Sequence, residues 1–134
     1  MTVYRLARNP GDYAVAQGLL RAEGFEKQSL TFPTVIALDE SDDHKCVGVI
    51  STYIQDKMVI AGPMALRSDR RRARTAIRLI DFYDITMRGL GLVSYIFHTE
   101  IGSVLDGLVS KAMPDMHPYA IKNGSRFFIR RLNQ

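Results

Sequence analysis

The spacing of apolar positions divides the chain into segments of two kinds. From Thr2 to Leu6 apolar and polar residues alternate, as on a half-buried strand. Asn9-Pro10-Gly11-Asp12 then reads as a turn, with Asp12 placed as a helix N-cap. Behind it Val15, Leu19 and Ala22 fall on one helical face, and Gly24 closes that helix. Residues 25–33 admit one further short helical turn. Three strand-like runs follow, at 34–40, 46–54 and 58–66, separated by the polar stretches 41–45 and 55–57. Val47, Val49, Ile50, Val59 and Ile60 are β-branched, as strands favour. Connections this short join neighbouring antiparallel strands.

Beyond Leu66 the period lengthens. Ala73, Ala76, Ile77, Ile80, Tyr83 and Met87 recur at helical spacing, with Ser68 or Asp69 to cap the start and Gly89 or Gly91 the end. Residues 92–98 form a buried strand. Residues 101–112 read as a helix weakened by Gly102 and Gly107 and stopped by Pro114. Residues 117–132 are two strands around Asn123-Gly124, the strongest hairpin signal in the chain. The order is β-α-(α)-β-β-β-α-β-α-β-β. It implies an α/β domain with a mixed sheet of about seven strands, a central antiparallel meander and a helical crossover. At 134 residues, a single domain spanning 1–134 is expected.

Composition narrows the setting. The lone Cys46 cannot form an internal disulfide, which suits a reducing compartment. The stretch Met1–Tyr13 has no signal-peptide core, and no apolar run approaches the ~20 residues that span a bilayer. The expectation is a soluble, cytoplasmic protein without membrane association. Phosphate-loop, zinc-spacing and dinucleotide fingerprints are all missing from the sequence. Asp42, Asp43 and His44 read as a plain hairpin loop, and Cys46 as a structural thiol.

The net charge of +4 is concentrated. Between Arg67 and Arg78 stand six arginines and one acid, Asp69, a local excess of +5 that leaves −1 for the rest. If a helix starts near Asp69, Arg70, Arg71, Arg74 and Arg78 fall on one stripe, while Ala73, Ile77 and Ile80 face the sheet. With no acid among residues 70–79, repulsion would be unrelieved without an anionic partner. Unpaired amides at a helix N-terminus, with the helix dipole, also suit a phosphate. The alternatives are a grip on nucleic acid or a solvated basic face.

This order of elements, with a basic turn between the fourth strand and the long helix, resembles the GNAT-type N-acetyltransferase superfamily. The likeness spans nearly the whole chain by layout, and a short motif by residues. The family's fingerprint is Gln or Arg, two free positions, Gly, one free position, then Gly or Ala. Arg71-Arg72-Ala73-Arg74-Thr75-Ala76 matches its first and last positions, with Arg74 standing in the glycine's place. The chain also looks like the divergent, minimal members encoded by tailed phages, which would place it in the host cytoplasm or a virion. The resemblance implies helices on both sheet faces. It also implies acetyl-coenzyme A as acyl donor, its pyrophosphate held by the amides of Arg71 to Ala76, and an amine acceptor attacking the thioester directly. Arg74 would add a charged contact or obstruct the approach.

The same resemblance assigns roles. His98 or Glu100, at the end of the fifth strand, would serve as base, with Glu100 alternatively just opening the next helix. The Leu66 amide would polarise the thioester carbonyl. The family often places a tyrosine acid on the following helix. Here none stands between Ile101 and Ala112, Ser103 is a poor acid, and Tyr119 would reach in from the next strand. Glu23 and Glu26 lie where the family builds its acceptor wall, and Asp39, Glu40, Asp42 and Asp43 could attract an amine. Phe127–Phe128 suits either a homodimer sheet or the core.

Two rival readings stay open. One is a nucleic-acid or protein-binding module on a degenerate acetyltransferase scaffold, for which Arg126, Arg130 and Arg131 supply a second basic cluster. The other is a phage structural component that has kept the fold without the chemistry.

Overall fold

Val35–Asp39 is buried at all five positions, and the architecture follows from that strand. A computed structural model describes residues 1–25, 29–69, 71–113 and 116–132. Its elements are β1 (Thr2–Leu6), α1 (Pro10–Ala22), β2 (Val35–Asp39), β3 (Lys45–Gln55), β4 (Met58–Leu66), α2 (Arg72–Gly89), β5 (Ser94–Glu100), α3 (Val104–Ala112), β6 (Pro118–Lys122) and β7 (Ser125–Arg131). One seven-stranded sheet runs in the spatial order β1-β2-β3-β4-β5-β7-β6. Every neighbouring pair is antiparallel except β4–β5, which α2 joins as a crossover.

A strand buried on both faces sits between two layers of cover. Val35 and Ala37 pack with Leu79, Tyr83 and Met87 of α2 and Val109 of α3. Ile36 and Leu38 point the other way, onto Ala16, Leu19 and Leu20 of α1. Helices therefore flank both faces, as expected. The α1 face uses Ala16 and Leu20, and Val15 is exposed. The helix also starts earlier than the sequence suggests. Asn9 is its N-cap, accepting the Asp12 amide at 3.0 Å, and Pro10 opens the first turn. Proline suits that position because its φ is preset and its missing N–H is not needed there. Asp12 is thereby free to hold the Arg5 guanidinium at 2.6 and 2.9 Å.

Two hairpins close in the same way. Asp56 and Lys57 (φ 52° and 65°) join β3 to β4, and Asn123 and Gly124 (53° and 78°) join β6 to β7. Positive φ at both central residues is the type I′ turn, whose twist matches paired strands. The stretch 41–45, by contrast, contains a single 3-10 turn at Glu40–Asp42, with Asp43 and His44 left-handed behind it. No described residue of 25–33 is helical.

Two features of β3 and β4 position the site. Gly48 lets the first turns of α2 lie against β3: a Cβ there would stand 3.0 Å from Leu79 Cδ2 and 3.2 Å from Thr75 Cγ2. The second feature is a bulge. Ile50 pairs with Met64 but Thr52 pairs with Ala61, so β4 carries an extra residue at Gly62-Pro63. Met64 and Ala61 consequently both face α2, and Ile60 and Ala65 both face away.

Candidate active site

The β4–β5 ladder is short. Parallel pairing extends over Ile60↔Ile96 and Ala61↔Phe97 only, and the strands diverge at the bulge. A cleft of about 650 Å³ opens where they part. Its lining includes Gly62, Pro63 and Met64 of β4, Phe97 to Glu100 of β5, Tyr53 of β3, Leu105 of α3 and Ser125 of β7. That volume lies within the usual range for small-molecule sites.

The register decides which way the β4 amides point. The Arg67 amide donates to the Val47 carbonyl at 2.8 Å, so this pair is hydrogen-bonded. Opposed residues in an antiparallel ladder alternate between bonded and non-bonded pairs. Leu66/Gly48 and Met64/Ile50 are therefore non-bonded pairs. The N–H groups of Met64 and Leu66 point away from β3, toward the side that β5 has vacated. Leu66 itself stands beside the arginine turn, outside the lining of the cleft, and Met64 lies within it.

Arg67, Arg71 and Arg72 of the arginine turn pair with acids from distant parts of the chain. Asp39, at the end of β2 on the α2 side, has a side chain only 1% exposed. Its Oδ2 accepts from Arg71 at 2.7 Å and from Arg67 at 3.2 Å, and its Oδ1 from the Ser41 hydroxyl and amide. The Ser41 and Arg71 hydrogen bonds hold its carboxyl well below the usual carboxylate range. Arg67 also reaches Asp42 at 2.9 Å and Asp69 at 3.0 Å. Arg72 lies 3.9 Å from Glu23, which also accepts from Ser68 at 2.8 Å. Protein carboxylates thus relieve part of the repulsion expected within residues 70–79, at Arg71 and Arg72, while Arg74 and Arg78 stay exposed.

This packing moves the helix start from near Asp69 to Arg72, because Asp69 turns its carboxylate onto the Arg71 amide at 2.8 Å. The Arg72 amide bonds the Asp69 carbonyl, and the helical ladder begins with Thr75 donating to Arg71. Among the described residues, no acceptor meets the amides of Ala73 and Arg74. Ala73 and Arg74 are exposed, whereas Thr75 and Ala76 are buried beneath them. Ala73 therefore lies on the open side with Arg71, Arg74 and Arg78, not against the sheet. Arg70 and Glu26 lie outside the described residues.

His98 projects into the cleft. Its ring stacks on Phe127, centroids 5.4 Å apart, and its Nε2 lies 3.3 Å from the Tyr53 hydroxyl. Burial lowers its pKa below the ordinary 6.5, leaving a neutral imidazole at neutral pH. Glu100 lines the same cleft and is exposed at the strand's end. It does not cap α3: Ser103 does, and Asp106 is the acid in its first turn. Buried Asp106 accepts from Thr99 at 2.8 Å, from the Gly102 amide at 3.1 Å and from Arg126 at 3.1 Å. It thereby ties α3 to β5 and β7 at the cleft's edge. Tyr119 lies apart, half exposed on edge strand β6 and outside the lining. Glu23 sits against the arginine turn, not in the cleft wall, where Phe25 and Ser29 stand instead.

Comparison with solved structures then decides the fold. The chain matches an aminoglycoside 6′-acetyltransferase type Ii over 100% of its own length and 98% of that protein, with a TM-score of 0.76 at 16% identity. It matches an acetyltransferase of the GNAT family from Staphylococcus aureus Mu50 over 99% of its length and 100% of that chain (0.73, 12% identity). It matches the PaiA N-acetyltransferase from Thermoplasma acidophilum, solved with coenzyme A, over 98% and 99% (0.71, 8% identity). The chain has the GNAT acetyltransferase fold. At these identities the likeness is one of fold. No protein-family model matches the sequence, and no curated protein does. Within this GNAT fold, sequence reasoning named His98, the arginine turn and Asp39, the last only as an attraction for an amine, and it did not name Tyr53 or Met64. Tyr53 and Met64 carry no local signal, since their roles depend on the bulge in β4. The run of acids from Asp39 to Asp43 was visible, but its pairing with Arg67 and Arg71 was not.

Proposed function

We propose that the chain is an acyl-CoA-dependent N-acyltransferase that moves an acetyl group from acetyl-CoA to an amine. One observation carries this reading. The outward-facing Leu66 and Met64 amides of β4 lead from the arginine turn to a cleft, opened beside the bulge, that holds a neutral histidine. The residues fit such a donor. The amides of Ala73 and Arg74, which meet no acceptor among the described residues, with the exposed Arg74 and Arg78 side chains, suit an anionic diphosphate. The N–H groups of Leu66 and Met64 suit an extended amide-bearing arm, as a neighbouring strand would. When bound, the donor supplies an activated thioester. The chain's part is to orient it along β4, to polarise the carbonyl through a β4 amide, and to take the amine's proton on His98. Among the described residues lining the cleft, Glu100 is the one carboxylate, and no lysine or arginine is present. That balance favours an acceptor of net positive charge.

Calorimetric titration with acetyl-CoA tests the reading. Micromolar binding is expected for the wild type. Arg74→Ala, which removes an exposed side chain, is expected to weaken binding roughly tenfold. Arg71→Ala is expected to lose binding and to lower the thermal midpoint, since it leaves buried Asp39 short of a partner. No binding up to millimolar concentration would overturn the proposal. The polyanion-binding alternative loses support from the second basic cluster. Arg126 is held by Asp106, and Arg130 by Asp84 at 2.8 Å.

A further inference from the structure

Tyr53 and His98 meet although a strand lies between them. Tyr53 is on β3 and His98 on β5, with β4 in the middle. Alternate strands of a sheet are about 10 Å apart, so contact between their side chains must pass over the central one. Here it passes over Gly62, at the bulge. A Cβ on Gly62 would lie 3.7 Å from Tyr53 Cε1 and 4.0 Å from His98 Nε2. A larger side chain would come between them. The missing side chain, the bulge and the stacking of His98 on Phe127 together leave Nε2 facing the Tyr53 hydroxyl at 3.3 Å. A separation of 3.3 Å leaves room for the bond to tighten when substrate enters. Tyr53 is also partly exposed, and both residues line the cleft.

Resting on the acyltransferase reading, we propose that Tyr53 is the catalytic residue that touches the acceptor amine and relays its proton to His98. In the resting site the Tyr53 O–H donates to Nε2, so the neutral imidazole carries its proton on Nδ1. The free-base amine attacks the thioester carbonyl, its lone pair forming the new N–C bond. The C–S bond breaks and its electron pair leaves on sulfur. The amine's proton passes to Tyr53 Oη as the Tyr53 proton passes to His98 Nε2. Tyr53 ends neutral and His98 ends as imidazolium, which discharges its proton to the thiolate or to solvent.

Two measurements test this. The first needs no substrate: ¹⁵N NMR of the imidazole at a pH where His98 is neutral. Wild type is expected to show the Nδ1–H tautomer, and Tyr53→Phe to revert toward Nε2–H, the form favoured by a free neutral histidine side chain. Wild-type His98 in the Nε2–H form would overturn the proposal, even if the variant failed to fold. The second is kinetic. Tyr53→Phe is expected to lower kcat by about tenfold or more, with KM for acetyl-CoA within about twofold. Adding Tyr53→Phe to His98→Gln is expected to cause little further loss, as for two members of one relay. Unchanged kcat in Tyr53→Phe would overturn the relay. Absence of any acetyl transfer by the wild type would overturn the acyltransferase reading instead, and the tautomer would still report on the pair.

Discussion

Two effects act on His98, the base of the proposed mechanism. Burial pushes its pKa down, so proton uptake is weak at rest, while the stack on Phe127 keeps the ring from turning. The other ionisable groups facing the cleft are Tyr53 on β3 and Glu100 on β5 itself. The described lining from β4, α3 and β7 contributes none. A group whose pKa is depressed is fully deprotonated above its ordinary value. The rate profile is therefore expected to rise with pH through a midpoint below 6.5 and to be level across neutrality. His98→Gln is expected to lower kcat by roughly 10²–10⁴-fold with acetyl-CoA affinity unchanged. A His98→Gln enzyme that kept its rate and its acid limb would shift the assignment to Glu100. Cys46 shows the opposite use of burial: its thiol is pushed up to about 11, which suits packing and not nucleophilic attack.

At the scale of elements, the placing of α2 governs the arginine turn. Gly48→Val would drive a side chain into Leu79 and Thr75, one turn below the amides of Ala73 and Arg74. Overpacking of this kind costs about 1–3 kcal/mol. It is expected to lower the thermal midpoint and weaken acetyl-CoA binding together. An affinity that survived the loss of stability would detach the turn from the packing beneath it. The elements themselves were largely legible in the sequence, because Asp56-Lys57 and Asn123-Gly124 mark turns and Tyr83 and Met87 keep a helical period. The effect of the bulge was not. Residues 58–66 read as one continuous strand, although Gly62-Pro63 inside it, with no proline N–H for the ladder, is a bulge signal whose effect on facing only the pairing shows. The start of α1 was misplaced for a related reason. Asn9 and Asp12 are both good caps, and only the Arg5–Asp12 pair across the fold shows which of them is otherwise engaged.

For the whole molecule, the excess of arginine is misleading as a sign of a polyanion partner. Asp12, Asp39, Asp84 and Asp106 each hold arginines from another element. Sequence shows the charges as local runs, whereas their pairing is set by strands far apart in the chain. That is why the arginine segment was legible as a concentration of charge but not as a clasp. The pairs predict a sensitivity to acid. Asp12, Asp39, Asp69 and Asp106 all have pKa values below the ordinary 3.8 in the folded chain. Their contribution is complete above that value and is lost as pH falls through the depressed ones, since the unfolded chain then binds more protons. His98, also depressed, adds a weaker loss that begins below 6.5. Thermal melts are expected to show a midpoint highest near neutrality, declining gently at first and steeply below about pH 4. A midpoint that rose on acidification would contradict the pairing.

The grip of Asp39 on Arg67 and Arg71 has one further consequence. Folding itself places the Arg67 and Arg71 side chains, so a ligand arriving there would not have to organise them. Its free energy of association would be little diminished by lost chain entropy, and modest contacts would give useful affinity. Encounter would be limited by diffusion and by ionic strength rather than by a slow rearrangement of the protein.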